Sequence, residues 1–288
     1  MDYLLLGVSA CLSATRSVLA KFLSLSVDSN GKFYLTQAIL FACTAVCALI
    51  AGFSILTQIK LLTVLLGLIY GAFFISSQWC YTRAMHDGPT SICGMLYAFG
   101  FVIPTLAGPI FWHDSFTVFK VIGLILVVPS ILLTVRIEPK SEEQQNRKFF
   151  IPLFIAMFSS GMLGILQKIQ QNSAAADQTP LFLLVGCLVA GLGSLLKALT
   201  YRKNEPSIRP AKRSCILAAI IGVAFGILNL INITLVGRMS SAVFFPVINL
   251  SSLLLCILAG TLIFHERLRL SDKLAFVFGA AAILVLNL

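Results

Sequence analysis

Apolar residues run almost unbroken for about 20 positions at a time along this chain, and short polar intervals separate the runs. Ten such runs can be read, at 3–23, 33–57, 61–82, 89–112, 117–136, 149–170, 179–200, 214–236, 240–264 and 271–288. Each is long enough to cross a bilayer core of roughly 30 Å. In lipid the backbone must satisfy its own hydrogen bonds, so the runs are expected to be helices. A membrane barrel would alternate apolar and polar positions, and these runs do not. The first run ends in small residues like a signal peptide, but only Asp2 precedes it in place of a basic region. It is therefore expected to be a retained first helix. The pattern predicts an all-α integral membrane protein with ten transmembrane helices.

The fourth and ninth runs end in nearly the same phrase. LAGPIFWHDSF spans Leu106–Phe116, and LAGTLIFHERL spans Leu258–Leu268, 152 positions later. A second echo pairs GLIYG, Gly67–Gly71, in the third run with GVAFG, Gly222–Gly226, in the eighth. A weaker one pairs Leu19-Ala-Lys21 with Leu166-Gln-Lys168. The chain therefore reads as a first five-helix repeat at 1–137, a linker at 138–148 and a second repeat at 149–288. Because five is odd, the second copy enters the membrane from the opposite side. Inverted repeats of this kind are characteristic of secondary transporters, whose site lies near the midplane between the halves.

Charge fits the inversion. Only Lys60, Lys120, Lys168 and Arg238 accompany the even-numbered spans; the loops after odd-numbered spans hold most of the other cations. The interval between spans seven and eight carries Arg202, Lys203, Arg209, Lys212 and Arg213, where its counterpart between spans two and three carries Lys60 alone. Read by the positive-inside rule, this places both termini outside. The same distribution accounts for the net charge of +10 without a nucleic-acid partner. Hydrophobic residues form 58% of the chain and charged residues 11%, against roughly 25% charged in soluble domains. The eight cysteines are scattered and form no Cys-x-x-Cys pair, so neither a disulfide framework nor a metal site is expected.

The architecture resembles the ten-span, EamA-like branch of the drug/metabolite transporter superfamily along the whole chain. The resemblance rests on Asp114 closing span four with Gly123 nine residues on, on Glu266 closing span nine with Gly279 later, and on Lys21 closing span one. It implies a bundle in which helices one to four and six to nine line the pathway, with five and ten outside it and able to pair subunits in a homodimer. Ten-span relatives keep both termini inside, where the charges here place them outside.

All eleven Asp and Glu fall at span ends or in loops. A proton-driven exporter of lipophilic cations needs a buried carboxylate, so that reading loses ground. Arg16 lies well inside span one, and ionisable residues there cost roughly 2.5–3.5 kcal/mol at a helix centre. Ser9, Ser13, Arg16 and Lys21 recur three to five apart, with Ser17 beside Arg16, and make one polar stripe, suited to a carboxylate or phosphate. Arg16, Lys21 and Ser13 are accordingly candidate solute contacts, though long cations can also snorkel to the interface. Further candidates are Gln167 at the end of span six, beside Gln170 and Gln171; Asn229 and Asn232 on one face of span eight; Asn249 in span nine, which aligns with Tyr97 in span four; and Gln78 in span three. The same polar groups could instead tie helices together, at about 0.6 kcal/mol each. Pro104 and Pro246 are expected to interrupt spans four and nine. The Gly67/Gly71 and Gly222/Gly226 pairs are expected at close helix contacts.

No nucleophile stands beside the WHD and FHE triplets, and no metal-ligand spacing occurs, so no catalytic residue, metal or cofactor is expected. The reading that results is a facilitator or exchanger of a small polar metabolite, an amino acid or related organic anion. Its expected surroundings are the solute and membrane lipid, in a prokaryotic plasma membrane. A lipid-linked carrier flippase is an alternative, as is a non-transporting scaffold or sensor that would dock a partner at 136–148 or 202–213.

Overall fold

The structure, a computed structural model, describes residues 2–55, 58–87, 96–97, 99–114, 117–134, 149–202, 208–264 and 270–286. The linker 138–148 and Glu266 lie outside these residues, as do the side chains of Ser17 and Lys21. Ten α-helices are described: α1 (Asp2–Leu25), α2 (Asn30–Ala51), α3 (Leu61–Asp87), α4 (Val102–Trp112), α5 (Val118–Thr134), α6 (Phe150–Gln171), α7 (Thr179–Tyr201), α8 (Lys212–Arg238), α9 (Ser241–Phe264) and α10 (Leu270–Leu286). No strand occurs among the described residues.

Six stretches are long and apolar enough to cross a membrane: Asp2–Ala20, Asn30–Ala51, Leu61–Ala84, Phe150–Gln171, Ala176–Tyr201 and Lys212–Arg238. Four shorter apolar helical stretches, Phe99–Trp112, Val118–Leu133, Ser241–Ser251 and Lys273–Leu286, accompany them. These are the elements of a multi-pass helical membrane protein. Local signals explain several boundaries. Ser29 caps α2 by accepting from the Lys32 N–H. Pro180 stands in the first turn of α7, where its missing N–H costs nothing.

Span four departs from a simple kinked helix. A 3₁₀ turn at Phe99–Phe101 precedes α4, and Pro104 falls in the first turn of the new helix. There it has no intrahelical donor to remove, so it starts a helix and does not bend one. Pro109, Pro129 and Pro246 are the prolines inside α4, α5 and α9.

The chain divides into two compact units. The first comprises Met1–Ile75 and Leu166–Gly237, the second Ser76–Ile165 and Arg238–Leu288. Each unit thus draws on both halves of the sequence, and α3 and α6 contribute to both.

In the first unit, glycines set the helix contacts. A Cβ at Gly67 would stand 2.8 Å from Val185 Cβ, and one at Gly71 2.6 Å from Val189 Cβ, so α3 meets α7 backbone to side chain. A Cβ at Gly222 would stand 2.8 Å from Cys43 Cβ, and one at Gly226 2.9 Å from Cys47 Cβ, so α8 meets α2 in the same manner. In both contacts a carbonyl three residues earlier crowds the glycine: Phe182 O and Gly186 O in one, Leu40 O in the other. Both pairs of helices run parallel, because residue numbers rise together along each contact. Between α2 and α7 the numbering runs the opposite way, from Tyr34 stacked on Tyr201 to Gly52 against Pro180. It follows that α3 and α7 point one way, while α2 and α8 point the other.

In the second unit, α5 and α10 cross through another reciprocal pair. A Cβ at Gly123 would stand 2.6 Å from Leu286 Cγ, and one at Gly279 would stand 2.9 Å from Ser130 Oγ. Gly123 and Ser130 shifted by 156 positions become Gly279 and Leu286, so each helix offers its glycine to the same position of the other. The crossing is antiparallel, and Ser130 Oγ donates to the Ala275 carbonyl at 2.8 Å. The opposite side of α5 exposes Val118, Phe119, Ile122, Ile125 and Leu132, an apolar stripe of the kind lipid covers.

Candidate functional site

The stripe on α1 faces α8, and three contacts fix their register. Ser9 Oγ donates to Asn232 Oδ1, the Arg16 guanidinium lies 4.2 Å from the Phe225 ring centroid, and Ser26 is hydrogen-bonded to Ser214. Residue numbers rise along α1 as they fall along α8, so the two helices are antiparallel. Phe225, Asn229 and Asn232 sit at i, i+4 and i+7, hence on one face of α8. That face therefore presents both asparagines of α8 beside Phe225.

A second chain of groups joins it. Gln167 Nε2 of α6 donates to the Tyr70 hydroxyl of α3 at 3.1 Å and to Asn229 Oδ1 at 3.4 Å. Asn229 Nδ2 donates back to the Phe225 carbonyl at 2.8 Å. Tyr70, Gln167 and Asn229 are buried, whereas Ser13, Arg16 and Asn232 are half-buried. Beneath the guanidinium lies an aromatic cluster. Phe74 sits 5.8 Å from Phe225, 6.1 Å from Tyr70 and 4.9 Å from Phe41. Tyr70 and Phe225 hold equivalent places in GLIYG and GVAFG, and both bear on Phe74.

This arrangement explains how a cation is tolerated here. The ring face supplies attraction worth about 0.5–2 kcal/mol, more as water is excluded. A guanidinium is the side chain whose planar fork of N–H groups matches carboxylate and phosphate.

The structure therefore brings Gln167 to Asn229, and Arg16 and Asn232 to the same face of α8, while Ser13 is half-buried on α1 three residues before Arg16. Two further residues, Phe225 and Tyr70, complete the group. Phe225 is an apolar residue in an apolar helix, and Tyr70 was one polar residue among several in its span. Their place in the echoed glycine motifs was the available signal. Gln170 and Gln171 do not join the site. Gln170 Nε2 donates to the Ala175 carbonyl at 2.6 Å, and Gln171 Nε2 donates to Thr179 Oγ1, so both secure the turn from α6 into α7.

Three candidates belong to the second unit. Tyr97 shares a 3.0 Å hydrogen bond with Ser77, and its ring lies 4.4 Å from Tyr81. Gln78 is half-buried on α3. Asn249 is exposed although residues 241–248 and 250 of α9 are buried, and its Nδ2 donates to the Phe245 carbonyl at 2.7 Å.

The WHD phrase has a structural role. His113 takes a left-handed conformation at φ 52°, ending α4. Asp114 then accepts the Ser241 N–H at 2.8 Å, placing a carboxylate at the positive end of the α9 dipole. Gly108 leaves room for this, because a Cβ there would stand 2.6 Å from Ser241 Cβ.

Gln167→Leu is expected to cost about 1–3 kcal/mol, since Asn229 loses a buried donor as Gln167 loses both its partners. Thermal unfolding in detergent measures this, and no change would place the network outside the energetics of the fold.

No family model matches this chain, and no curated protein matches it. Among solved structures 28 chains match. One of them, the crystal structure of a protein, shares 13% identity at a TM-score of 0.77, over 99% of this chain and 96% of the other. At that identity the likeness is one of fold.

Proposed function

We propose that the chain is a ten-span secondary transporter of the drug/metabolite type, built from two inverted five-helix repeats. It moves a small polar metabolite, an amino acid or related organic anion, across a prokaryotic plasma membrane by alternating access. The observation that carries this reading is the pair of matched glycine contacts: α3 on α7 repeats as α8 on α2, with α3 and α8 pointing opposite ways. Two equivalent halves of opposite direction provide two nearly equal packings, which alternating access requires. A rigid scaffold has no use for such a duplication. The reciprocal crossing of α5 and α10 supports the same reading.

Arg16 on its aromatic platform supports the choice of an anionic or zwitterionic solute. Every carboxylate lies at a span end or in a loop, so no group is placed to exchange protons for solute. The mechanism is therefore facilitated diffusion or exchange. Uptake of labelled amino acids and carboxylates into proteoliposomes is expected to run at the same initial rate with or without a pH gradient. Uptake that occurs only under an imposed gradient would overturn the coupling assignment. A solute panel that fails while lipid-linked anions bind would replace the metabolite with a carrier lipid.

A further inference from the structure

Resting on the transporter reading above, we infer that Gln167 acts in the transport step as a positioning residue, which touches no solute and couples the Arg16 platform to α3 and α6.

The chain passes from the first unit to the second within α3, between Ile75 and Ser76. It returns within α6, between Ile165 and Leu166, and leaves again at the end of α8. Helices that enter both units must shift when such a protein alternates. Tyr70 stands shortly before the passage in α3, and Gln167 directly after the passage in α6. Gln167 joins the two helices by donating to the Tyr70 hydroxyl at 3.1 Å. Its amide also reaches Asn229 Oδ1 at 3.4 Å, beyond the ordinary N–H···O range of about 2.7–3.2 Å. Asn229 in turn donates to the Phe225 carbonyl at 2.8 Å, and the Phe225 ring lies beneath the Arg16 guanidinium. The longest hydrogen bond in this run is therefore the one between α6 and α8. A joint shift of α3 and α6 breaks it first and leaves Asn229, Phe225 and Arg16 together.

Burial separates this role from a solute contact. Tyr70 is 2% exposed, Asn229 5% and Gln167 9%, whereas Arg16 is half-buried. A solute at Arg16 is linked to Gln167 through Phe225 and Asn229. While the helices are joined, the Asn229 oxygen has its donor from α6; once they part, it must find another. The platform beneath Arg16 thus differs between the two arrangements. A solute can shift an equilibrium only between states that it binds unequally, and this difference supplies the inequality.

The test is the initial rate of counterflow over a range of solute concentrations, per folded protein. Gln167→Leu and Tyr70→Phe are each expected to lower kcat about fivefold, with KM within about twofold of wild type. Tyr70→Phe removes the hydroxyl alone and keeps the ring against Phe74 and Phe182, at 6.1 and 4.8 Å. Both variants cut the same link, so the double variant should be no slower than Gln167→Leu. Gln171→Leu, which loses a hydrogen bond from the same helix to Thr179, should keep the wild-type kcat. A raised KM at unchanged kcat would make Gln167 a solute contact and overturn the inference. So would unchanged kinetics in Tyr70→Phe, or losses that multiply in the double variant. Should Gln167→Leu fail to fold, Tyr70→Phe set against Gln171→Leu decides the matter. A wild type that exchanges nothing removes the transporter reading and this role with it, whereas exchange that the variants leave untouched removes this role alone.

Discussion

Arg16→Ala is expected to lower kcat/KM for an anionic solute by about tenfold to a hundredfold, the equivalent of one charge-assisted hydrogen-bonded contact. The protein should still fold, because the lost guanidinium–ring contact is worth only about 0.5–2 kcal/mol. Arg16→Lys separates the two contributions. It keeps the charge and loses the planar fork, so it should recover part of the rate and little of the geometry-dependent selectivity. The half-buried position is what gives the prediction its size. A fully exposed arginine would be screened, and a fully buried one would not reach a solute. If Arg16→Ala transports as wild type does, the cation is a structural partner of Phe225, and the anion contact lies elsewhere.

The second large effect is mechanical. A Cβ added at Gly222 would run into the Leu40 carbonyl, which belongs to the α2 backbone and cannot rotate away. Gly222→Ala is expected to destabilise by about 1–3 kcal/mol, the usual range for overpacking. Gly226→Ala meets the Cys47 side chain at 2.9 Å and no backbone atom nearer than Thr44 Cα at 3.6 Å, and should cost less. Gly7→Ala is the control, since nothing lies within 4 Å of a Cβ there. Alanine favours helix over glycine by about 1 kcal/mol, so that variant should be neutral or stabilised. Thermal unfolding of the three variants in one detergent gives the order. Gly67→Ala extends the comparison to the other half: the corresponding carbonyl, Phe182 O, would stand 3.1 Å from a Cβ there against 2.4 Å for Leu40 O at Gly222, so its loss should be the smaller of the two. A loss at Gly67 equal to or larger than that at Gly222 would contradict the carbonyl as the deciding contact.

Much of this was legible in the chain itself, and the reasons are local. Runs of apolar residues mark helices because lipid forbids unpaired backbone, whatever the tertiary context. Ser13, Arg16, Gln167, Asn229 and Asn232 stood out because a polar group in such a run is costly. Phe225 stayed hidden because an aromatic side chain in an apolar helix offers no contrast; only its ring beneath Arg16 gives it meaning. Tyr70 and Gln167 are 97 positions apart, and no spacing rule connects them. Asn249 and Tyr97 looked equivalent by alignment, yet one is exposed on α9 and the other is tied to Ser77. The break at Phe99–Phe101 was displaced in the sequence reading, because Pro104 marks the start of a helix as readily as its middle. Grouping into compact units, each mixing both sequence halves, depends on long-range packing that periodicity does not encode.

The most direct test of the central claim is counterflow. Purified protein is reconstituted into liposomes loaded with amino acids and carboxylates, with no ion or pH gradient, and traces of labelled solute are offered outside. Transient accumulation of label above equilibrium is expected for at least one anionic or zwitterionic solute, with its loss in Arg16→Ala. A wild-type trace that never rises above that of protein-free liposomes, for any solute or lipid-linked anion, would contradict transport and favour a scaffold.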